Sequence, residues 1–554
     1  MKIAICQINP TVGDIAGNRD KIADNITSAS LKGADLVLFG ELSLSGTPLY
    51  DLASHPDFTD RCQSAISDIS EQESDCMSMV GLPIRQEDDY FNSVSVLSGG
   101  QEVTRFYKAM PVSRDELPYF AGIDSPEFGD GDGQEQLPAN IVVCKDVRML
   151  IAIGDDIQYL SSLGCFASKT ERPDLIIHLN AKRFARNIIE DDAESYANLA
   201  RELSTSIISC GITGGSVDTI FHGGSAIFDK KGNLMLRLSN FTEGMAIVDF
   251  TPEKGFTGLD GKPLNKKPLP VAGKSATTRH TYKALVMALK DYFAKNGFKR
   301  TTIGLSGGID SAVVAAIAVD ALGYQCVTGI TMPSRYSSEG SVTDSRQLAA
   351  NLNITCHELP IENIYASALE TLSPIFGDSP FSVAEENMQS RIRGMLLMAV
   401  ANKFDTLVLN TSNKSEAAMG YGTLYGDTNG ALSLLGDVYK TEVYDLAEYI
   451  NRNGEVIPLS IINKAPSAEL RENQKDSDTL PEYGLLDSIL YRLIEENMPP
   501  MECAIECDTS IDTVVWVARM LKINEYKRWQ MPPIVSVSRT TLTRDRRMPL
   551  IAKY

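Results

Sequence analysis

Gly304-Leu305-Ser306-Gly307-Gly308-Ile309-Asp310-Ser311 decides the fold of the half of the chain in which it lies. Thr301–Leu305 reads as a short strand. A helix is expected from the glycine turn to about Leu322, and a second strand at Cys326–Thr331. Strand, turn, helix and strand make a βαβ unit, so a doubly wound parallel sheet is expected, with ligands at the carboxyl ends of its strands. Adjacent glycines let backbone N–H groups approach a phosphate and point at it. The helix N-terminus adds its positive end, and Ser306 and Ser311 add hydroxyls. Asp310 cannot hold phosphate directly, because like charges repel; its sensible role is to hold Mg²⁺. A Ser/Asp cap on a glycine turn would explain SGG alone, but not the whole of SGGxDS behind a strand.

Upstream, a helix is expected over about Arg279–Lys295, stopping near Gly297. Residues 251–277, rich in Pro, Gly and Lys, read as a linker between a domain at 1–250 and one at 278–554. The AGKS within it is no phosphate loop, because Pro268 stands where that motif needs glycine. The first 250 residues alternate strands and helices. Strands are expected at Lys2–Gln7, Asp35–Gly40, Val94–Leu97, Met149–Ile153, Asp174–Leu179, Ser206–Gly211, Ser225–Phe228 and Met245–Val248. Runs such as LVLF and DLIIHL fit strands buried on both faces. Asp124–Ala139 reads as a surface loop; its DGDG lacks the spacing and closing Glu of a calcium loop.

A length of 554 residues predicts two to four domains. With 43% apolar and 22% charged residues the composition is that of a soluble globular protein. No apolar run is long enough to span a membrane, and the N-terminus reads as a strand rather than a signal peptide. The net charge of −20 disfavours nucleic acid as a partner, while leaving room for a small anionic substrate in a locally positive site. The 10 cysteines are scattered without CxxC pairs, which argues against zinc and for reduced thiols in a cytoplasmic enzyme.

The SGGxDS loop resembles the PP-loop of the ATP pyrophosphatases, which cleave ATP between its α and β phosphates and adenylate a substrate. Downstream segments narrow the resemblance. In order and spacing, MPSRYSS (332–338), ENMQSRIRGM (386–395), NTSNKSE (410–416), YGTLYGD (421–427), KAPSAEL (464–470) and EYKR (525–528) look like NAD+ synthetase. The resemblance implies an α/β fold of the adenine-nucleotide alpha hydrolase (PP-loop) type. It assigns Gly304, Leu305, Ser306, Gly307, Gly308, Ile309, Asp310, Ser311, Thr411, Lys440 and Ser467 to ATP. Asp310 and Glu416 become the Mg²⁺ carboxylates, with Lys440 beside them in the catalytic set. Asn387, Arg391, Glu416 and Lys527 are assigned to deamido-NAD+. The implied reaction adenylates deamido-NAD+ and then amidates it with ammonia, releasing AMP and pyrophosphate. It also implies a homo-oligomer, at least a dimer through the ligase domain. Another PP-loop enzyme, such as a tRNA-modifying one, would want a basic surface and a catalytic cysteine pair; the charge and the scattered thiols argue against it.

Residues 1–250 look like the nitrilase superfamily, an αββα sandwich. In many bacterial NAD+ synthetases this domain hydrolyses glutamine with a Glu base, a Lys and a Cys nucleophile. FGELS supplies Glu41 and FYK supplies Lys108, but the text matching the nucleophile segment is Ile153-Gly154-Asp155-Asp156. Gly154 has no atom that can attack a carbonyl. Gln158 replaces an aromatic residue, Lys182-Arg183 replace Ser-Pro, and the segment after Lys108 is shortened. The expectation is a retained domain without glutaminase activity and free ammonia as the nitrogen donor. Glutamine, with residual or rescued hydrolysis, is the alternative; Cys144 and Cys165 read as packing cysteines rather than replacements.

Overall fold

The computed structural model describes residues 1–71, 76–113, 115–122, 140–162 and 172–553. The chain forms two compact units, Met1–Ala272 and Gly273–Tyr554. Among the described residues no helix is long and apolar enough to cross a membrane. Every described cysteine is a free thiol. Cys165 and the Asp124–Ala139 segment lie outside the described residues.

The first unit is an αββα sandwich. One sheet holds β1 (Lys2–Gln7), β2 (Leu36–Phe39), β3 (Met77–Gln86), β4 (Asp89–Ser98) and β5 (Gln101–Tyr107). The other holds β6 (Ile141–Cys144) at one edge, followed by β7 (Val147–Ile153), β8 (Leu175–Asn180) and β9 (Ser206–Gly211). A separate hairpin, β10 (Thr213–Ser216) and β11 (Thr219–His222), follows. Then β12 (Ala226–Phe228) and β13 (Leu234–Arg237) extend the second sheet, and β14 (Gly244–Thr251) and β15 (Gly255–Thr257) return to the first.

Alternating side chains explain the layering. Ile3, Ile5, Leu36 and Leu38 meet Ile151, Ile153, Ile177 and Leu179 of the other sheet. Ala4, Cys6, Val37 and Phe39 face the opposite way, onto helices α1 (Ile15–Leu31) and α2 (Pro56–Ser70). Leu150, Ala152 and Ile176 pack beneath α3 (Ile188–Leu203). Regular structure reaches into the segment read as a linker: β15 pairs Thr257 with Asp249 and Gly255, at φ +72°, with Thr251.

The second unit opens with α4 (Lys274–Asn296), which begins earlier than its sequence signals suggest and stops at Gly297 as expected. Its sheet contains β16 (Thr301–Gly304), β17 (Val327–Thr331), β18 (Thr355–Glu358), β19 (Leu407–Asn410) and β20 (Leu432–Ser433) in the order β18-β17-β16-β19-β20, all parallel. Helices α5 (Ile309–Leu322), α6 (Glu339–Asn351), α7 (Glu362–Phe376) and α8 (Val383–Phe404) fill the connections. The order reverses at β16, between β17 and β19. In open parallel sheets that reversal opens a crevice beyond the strand ends, because successive connections leave on opposite faces.

A short helix, α9 (Lys414–Met419), follows β19. Lys414 is fully buried, with its ammonium 2.9 Å from Asp437 and 3.0 Å from Glu495. It also donates to the Thr540 carbonyl at 2.9 Å. The Val537 and Ser538 amides donate to the same Asp437 carboxylate. A buried ammonium needs such partners to offset desolvation, and this set ties the C-terminal segment to α9 and to α10 (Lys440–Ile450), which begins just after Asp437.

Candidate active site

In the second unit, the glycine turn spans the end of β16 and the start of α5. Gly307 has φ +75°, and a Cβ there would collide with the Ser341 backbone, so both conformation and space require glycine. Ser306 and Ser311 brace the turn from within. The Ser306 hydroxyl accepts from Gly308 N–H at 3.2 Å, and the Ser311 hydroxyl donates to the Gly308 carbonyl at 3.0 Å. The turn edges a cavity of about 270 Å³ at the carboxyl ends of β16, β17 and β19.

Of the residues assigned to ATP, Gly304, Leu305, Ser306, Gly308, Ile309, Asp310, Ser311, Thr411, Lys440 and Ser467 line this cavity, as does Glu416. Gly307 does not, being turned against Ser341. Asp310 sits in the first turn of α5, and its Oδ2 meets the Lys440 ammonium. Glu416 Oε1 lies 3.7 Å from the same ammonium. Burial, and next the neighbouring Asp310, push the Glu416 carboxyl up to about 8. Burial works against the Lys440 ammonium, but Asp310 and Glu416 outweigh it and raise its pKa.

Two carboxylates thus share one cation, and one of them resists ionising. That excess of negative character fits a divalent cation. Among the described residues no three acidic, His or Cys side chains could hold a metal unaided. The arrangement therefore suits magnesium, which binds through one or two carboxylates and completes its shell with substrate phosphates.

The residues assigned to deamido-NAD+ do not all join this cavity. Asn387, Arg391 and Lys527 gather instead around the loop at residues 420–424. Asn387 Oδ1 accepts from the Thr423 hydroxyl at 2.7 Å, and Arg391 Nε donates to the Leu424 carbonyl at 3.2 Å. Lys527 donates to the Gly420 and Gly422 carbonyls at 2.7 and 2.8 Å. Sequence reading passed over Arg393, Lys464 and Asp476, which also line the cavity. Arg393 and Lys464 stand inside the quoted segments ENMQSRIRGM and KAPSAEL, where a cation near the PP-loop was the available signal. Asp476 carried none.

In the first unit, Glu41, Lys108 and Gly154 do converge. Gly154 follows the last residue of β7 with φ +52°. A Cβ built on it would lie 2.5 Å from Glu41 Oε1 and 2.5 Å from Lys108 Nζ. The Lys108 ammonium is 3.1 Å from Glu41, 2.6 Å from Glu116 and 3.4 Å from Asp155. Glu41 also accepts from Asn92 Nδ2 at 2.8 Å and from Ala181 N–H at 3.0 Å. Burial pushes the Glu41 carboxyl up to about 7 against the pull of Lys108. Burial opposes the Lys108 charge, but its carboxylates together raise its pKa. Glu116, in the shortened segment after Lys108, is the member sequence reading missed.

Behind Gly154 lies a buried histidine. His178 Nε2 is 2.7 Å from the Gly154 carbonyl, and its Nδ1 is 2.7 Å from the Tyr196 hydroxyl. A carbonyl can only accept, so Nε2 carries the proton, and Nδ1 accepts from Tyr196. Burial lowers the His178 pKa to about 3, so the ring is neutral in the folded protein. The unfolded chain takes up this proton below about 6.5 and the folded chain does not. Stability present above 6.5 is therefore lost as pH falls toward 3, by at most about 1.4 kcal/mol per pH unit. Thermal unfolding followed between pH 7 and 5 should show His178→Gln with a shallower fall in Tm than the unaltered protein. Parallel slopes would contradict a neutral native His178.

Comparison with known proteins agrees with both halves. Residues 281–532 match the NAD synthase family, and residues 2–255 match the carbon-nitrogen hydrolase family. The chain is 36% identical over 566 residues to a glutamine-dependent NAD(+) synthetase of Synechocystis, covering 100% of this chain and 99% of that protein. It is 36% identical over 564 residues to the protein of that name in Xanthomonas campestris. A solved structure of glutamine-dependent NAD+ synthetase from Acinetobacter baumannii, in complex with ADP, matches with TM-score 0.76 and 32% identity. That match covers 99% of this chain and 98% of the other.

Proposed function

The chain belongs to the NAD+ synthetase family of carbon–nitrogen ligases, and from that premise we propose that it adenylates deamido-NAD+ at the PP-loop and amidates it with free ammonia. The observation carrying the ligase reading is the convergence of Asp310, Glu416 and Lys440 beside a phosphate-shaped turn at the switch point of a parallel sheet. A nicotinate carboxylate oxygen attacks the α-phosphorus of ATP, and the bond from that phosphorus to the bridging oxygen breaks, releasing pyrophosphate. Ammonia then attacks the acyl carbon; the bond to AMP breaks and the nitrogen loses a proton.

The glycine turn and the N-terminus of α5 would receive the phosphates, because the backbone N–H groups of the first helical turn and the positive end of the helix dipole converge there. Asp310 and Glu416 would hold magnesium, which would neutralise charge on the leaving pyrophosphate. Lys440 would stabilise negative charge in the same place, with no cost of reorganising water. Asn387, Arg391 and Lys527 would orient deamido-NAD+ at the neighbouring loop, so the rate gain would come from positioning and charge.

Gly154 supports ammonia as the donor, since Glu41 and Lys108 have no nucleophile between them. The names of the relatives favour a second reading, in which glutamine is the donor. Pyrophosphate release from ATP should require deamido-NAD+, and NAD+ should appear only when ammonium is added. Pyrophosphate release indifferent to deamido-NAD+ would overturn the ligase reading.

A further inference from the structure

Asp310 and Glu416 come from different elements, one from the start of α5 and one from α9. Two links join them. The first is Lys440, an ammonium that a metal or phosphate can replace. The second is Asn413, which is fully buried. Its Nδ2 donates to Asp310 Oδ1 at 2.9 Å. Its Oδ1 accepts from Glu416 N–H at 2.9 Å, and its own backbone N–H donates to Glu416 Oε2 at 3.3 Å. One neutral side chain therefore touches the first carboxylate and caps the helix that carries the second.

We propose that Asn413 is a positioning residue that holds Asp310 and Glu416 at the separation and rotation a magnesium–nucleotide complex needs. The inference rests on reading this cavity as the magnesium–nucleotide site. The division of contacts supports it. Asn413 occupies Asp310 Oδ1 and Glu416 Oε2, leaving Asp310 Oδ2 and Glu416 Oε1 facing the one ammonium between them. When a divalent cation replaces that ammonium, the amide link remains and still fixes which oxygens are offered. An ordinary N-cap would need only the carbonyl oxygen of the side chain. The second bond, from the amide nitrogen to a carboxylate 103 residues away in sequence, serves no cap.

Serine at 413 keeps a cap and loses the donor to Asp310; aspartate keeps a cap and replaces the donor with a charge. The test uses the full chain with a non-hydrolysable ATP analogue. Stabilisation against heat is followed as magnesium is titrated, and the magnesium dependence of pyrophosphate release from ATP is measured in parallel. Asn413→Ser should move both magnesium midpoints upward by about tenfold or more, the usual effect of losing a partner behind a metal ligand. Its metal-free Tm should stay near that of the unaltered protein, and Asn413→Asp should shift the midpoints in the same direction. Midpoints within about twofold of the unaltered protein in both variants would overturn the inference while leaving the ligase reading intact. No magnesium-dependent stabilisation in the unaltered protein would overturn the reading of the cavity, and this inference with it.

Discussion

Supplied with glutamine in ammonia-free buffer, the protein should make NAD+ at less than about one ten-thousandth of its rate with ammonium, because loss of a covalent nucleophile costs ~10⁴–10⁶ in rate. Glu41 and Lys108 converge on Gly154, but position 154 carries no atom that could attack the amide. Cys144 offers no rescue: it pairs with Val147 at the start of β7, whereas Gly154 follows the far end of that strand. At the rise of an extended chain these points are roughly 20 Å apart.

Gly154→Cys alone should leave glutamine-driven synthesis below about one hundredth of the ammonium-driven rate, for a reason visible in the packing. A thiol at 154 needs space that Glu41 Oε1 and Lys108 Nζ occupy, and these ends are not loose. Asn92, Ala181 and Lys108 hold Glu41, while Glu116 and Asp155 hold Lys108. Lys182 and Arg183 also stand where the resemblance expects Ser-Pro, and the Lys182 ammonium is bound to Asp192 at 2.6 Å. The measurement is NAD+ formed from glutamine and from ammonium at equal concentration. Comparable rates in the unaltered protein would overturn the ammonia reading and favour the donor in the relatives' names.

The parts of this molecule written in short-range pattern were legible. LVLF and LIIHLN are strands because each buries both faces, and Gly304 to Ser311 forms its turn because only glycine fits against Ser341. Glu41, Lys108 and Gly154 meet as the resemblance implies, although 113 residues separate the first from the last. What stayed hidden was chemistry set by long-range contacts. Gln101–Tyr107 carries no strand signal in the sequence because it is a half-exposed edge with little apolar alternation. Nothing in the text around Glu116 signals its ion pair with Lys108, which only the fold brings within 2.6 Å. Asn413 read as one letter of a motif, because nothing in NTSNKSE announces a bond to Asp310. Lys414 looks like a surface lysine by type, and only the return of the C-terminal segment supplies its burial.

Asp310→Asn should lower NAD+ synthesis from ammonium by about 10²–10³, the scale of losing one preorganised charge-stabilising group. The substitution keeps shape and removes charge, so the helix and turn should survive while one of the two carboxylates proposed to hold magnesium is lost. Glu416→Gln should act on the same scale. Because Asp310 and Glu416 share Lys440 and Asn413, the double variant should fall well short of the product of the two losses. In Asp310→Asn the KM for deamido-NAD+ should change little, since Asn387, Arg391 and Lys527, the residues proposed to orient that substrate, gather at a different loop.

Metal-free ATP supplies a readout that simple misfolding would not move. A carboxylate at the mouth of a phosphate turn repels a naked triphosphate, so Asp310→Asn should bind ATP without magnesium as well as the unaltered protein or better. The gain in affinity that magnesium confers should shrink at the same time. Misfolding would weaken both together. A variant that keeps more than about a tenth of the synthetic rate would show that Asp310 does not carry the metal, and the phosphate turn would then have to manage its charge through Lys440 and the amides alone.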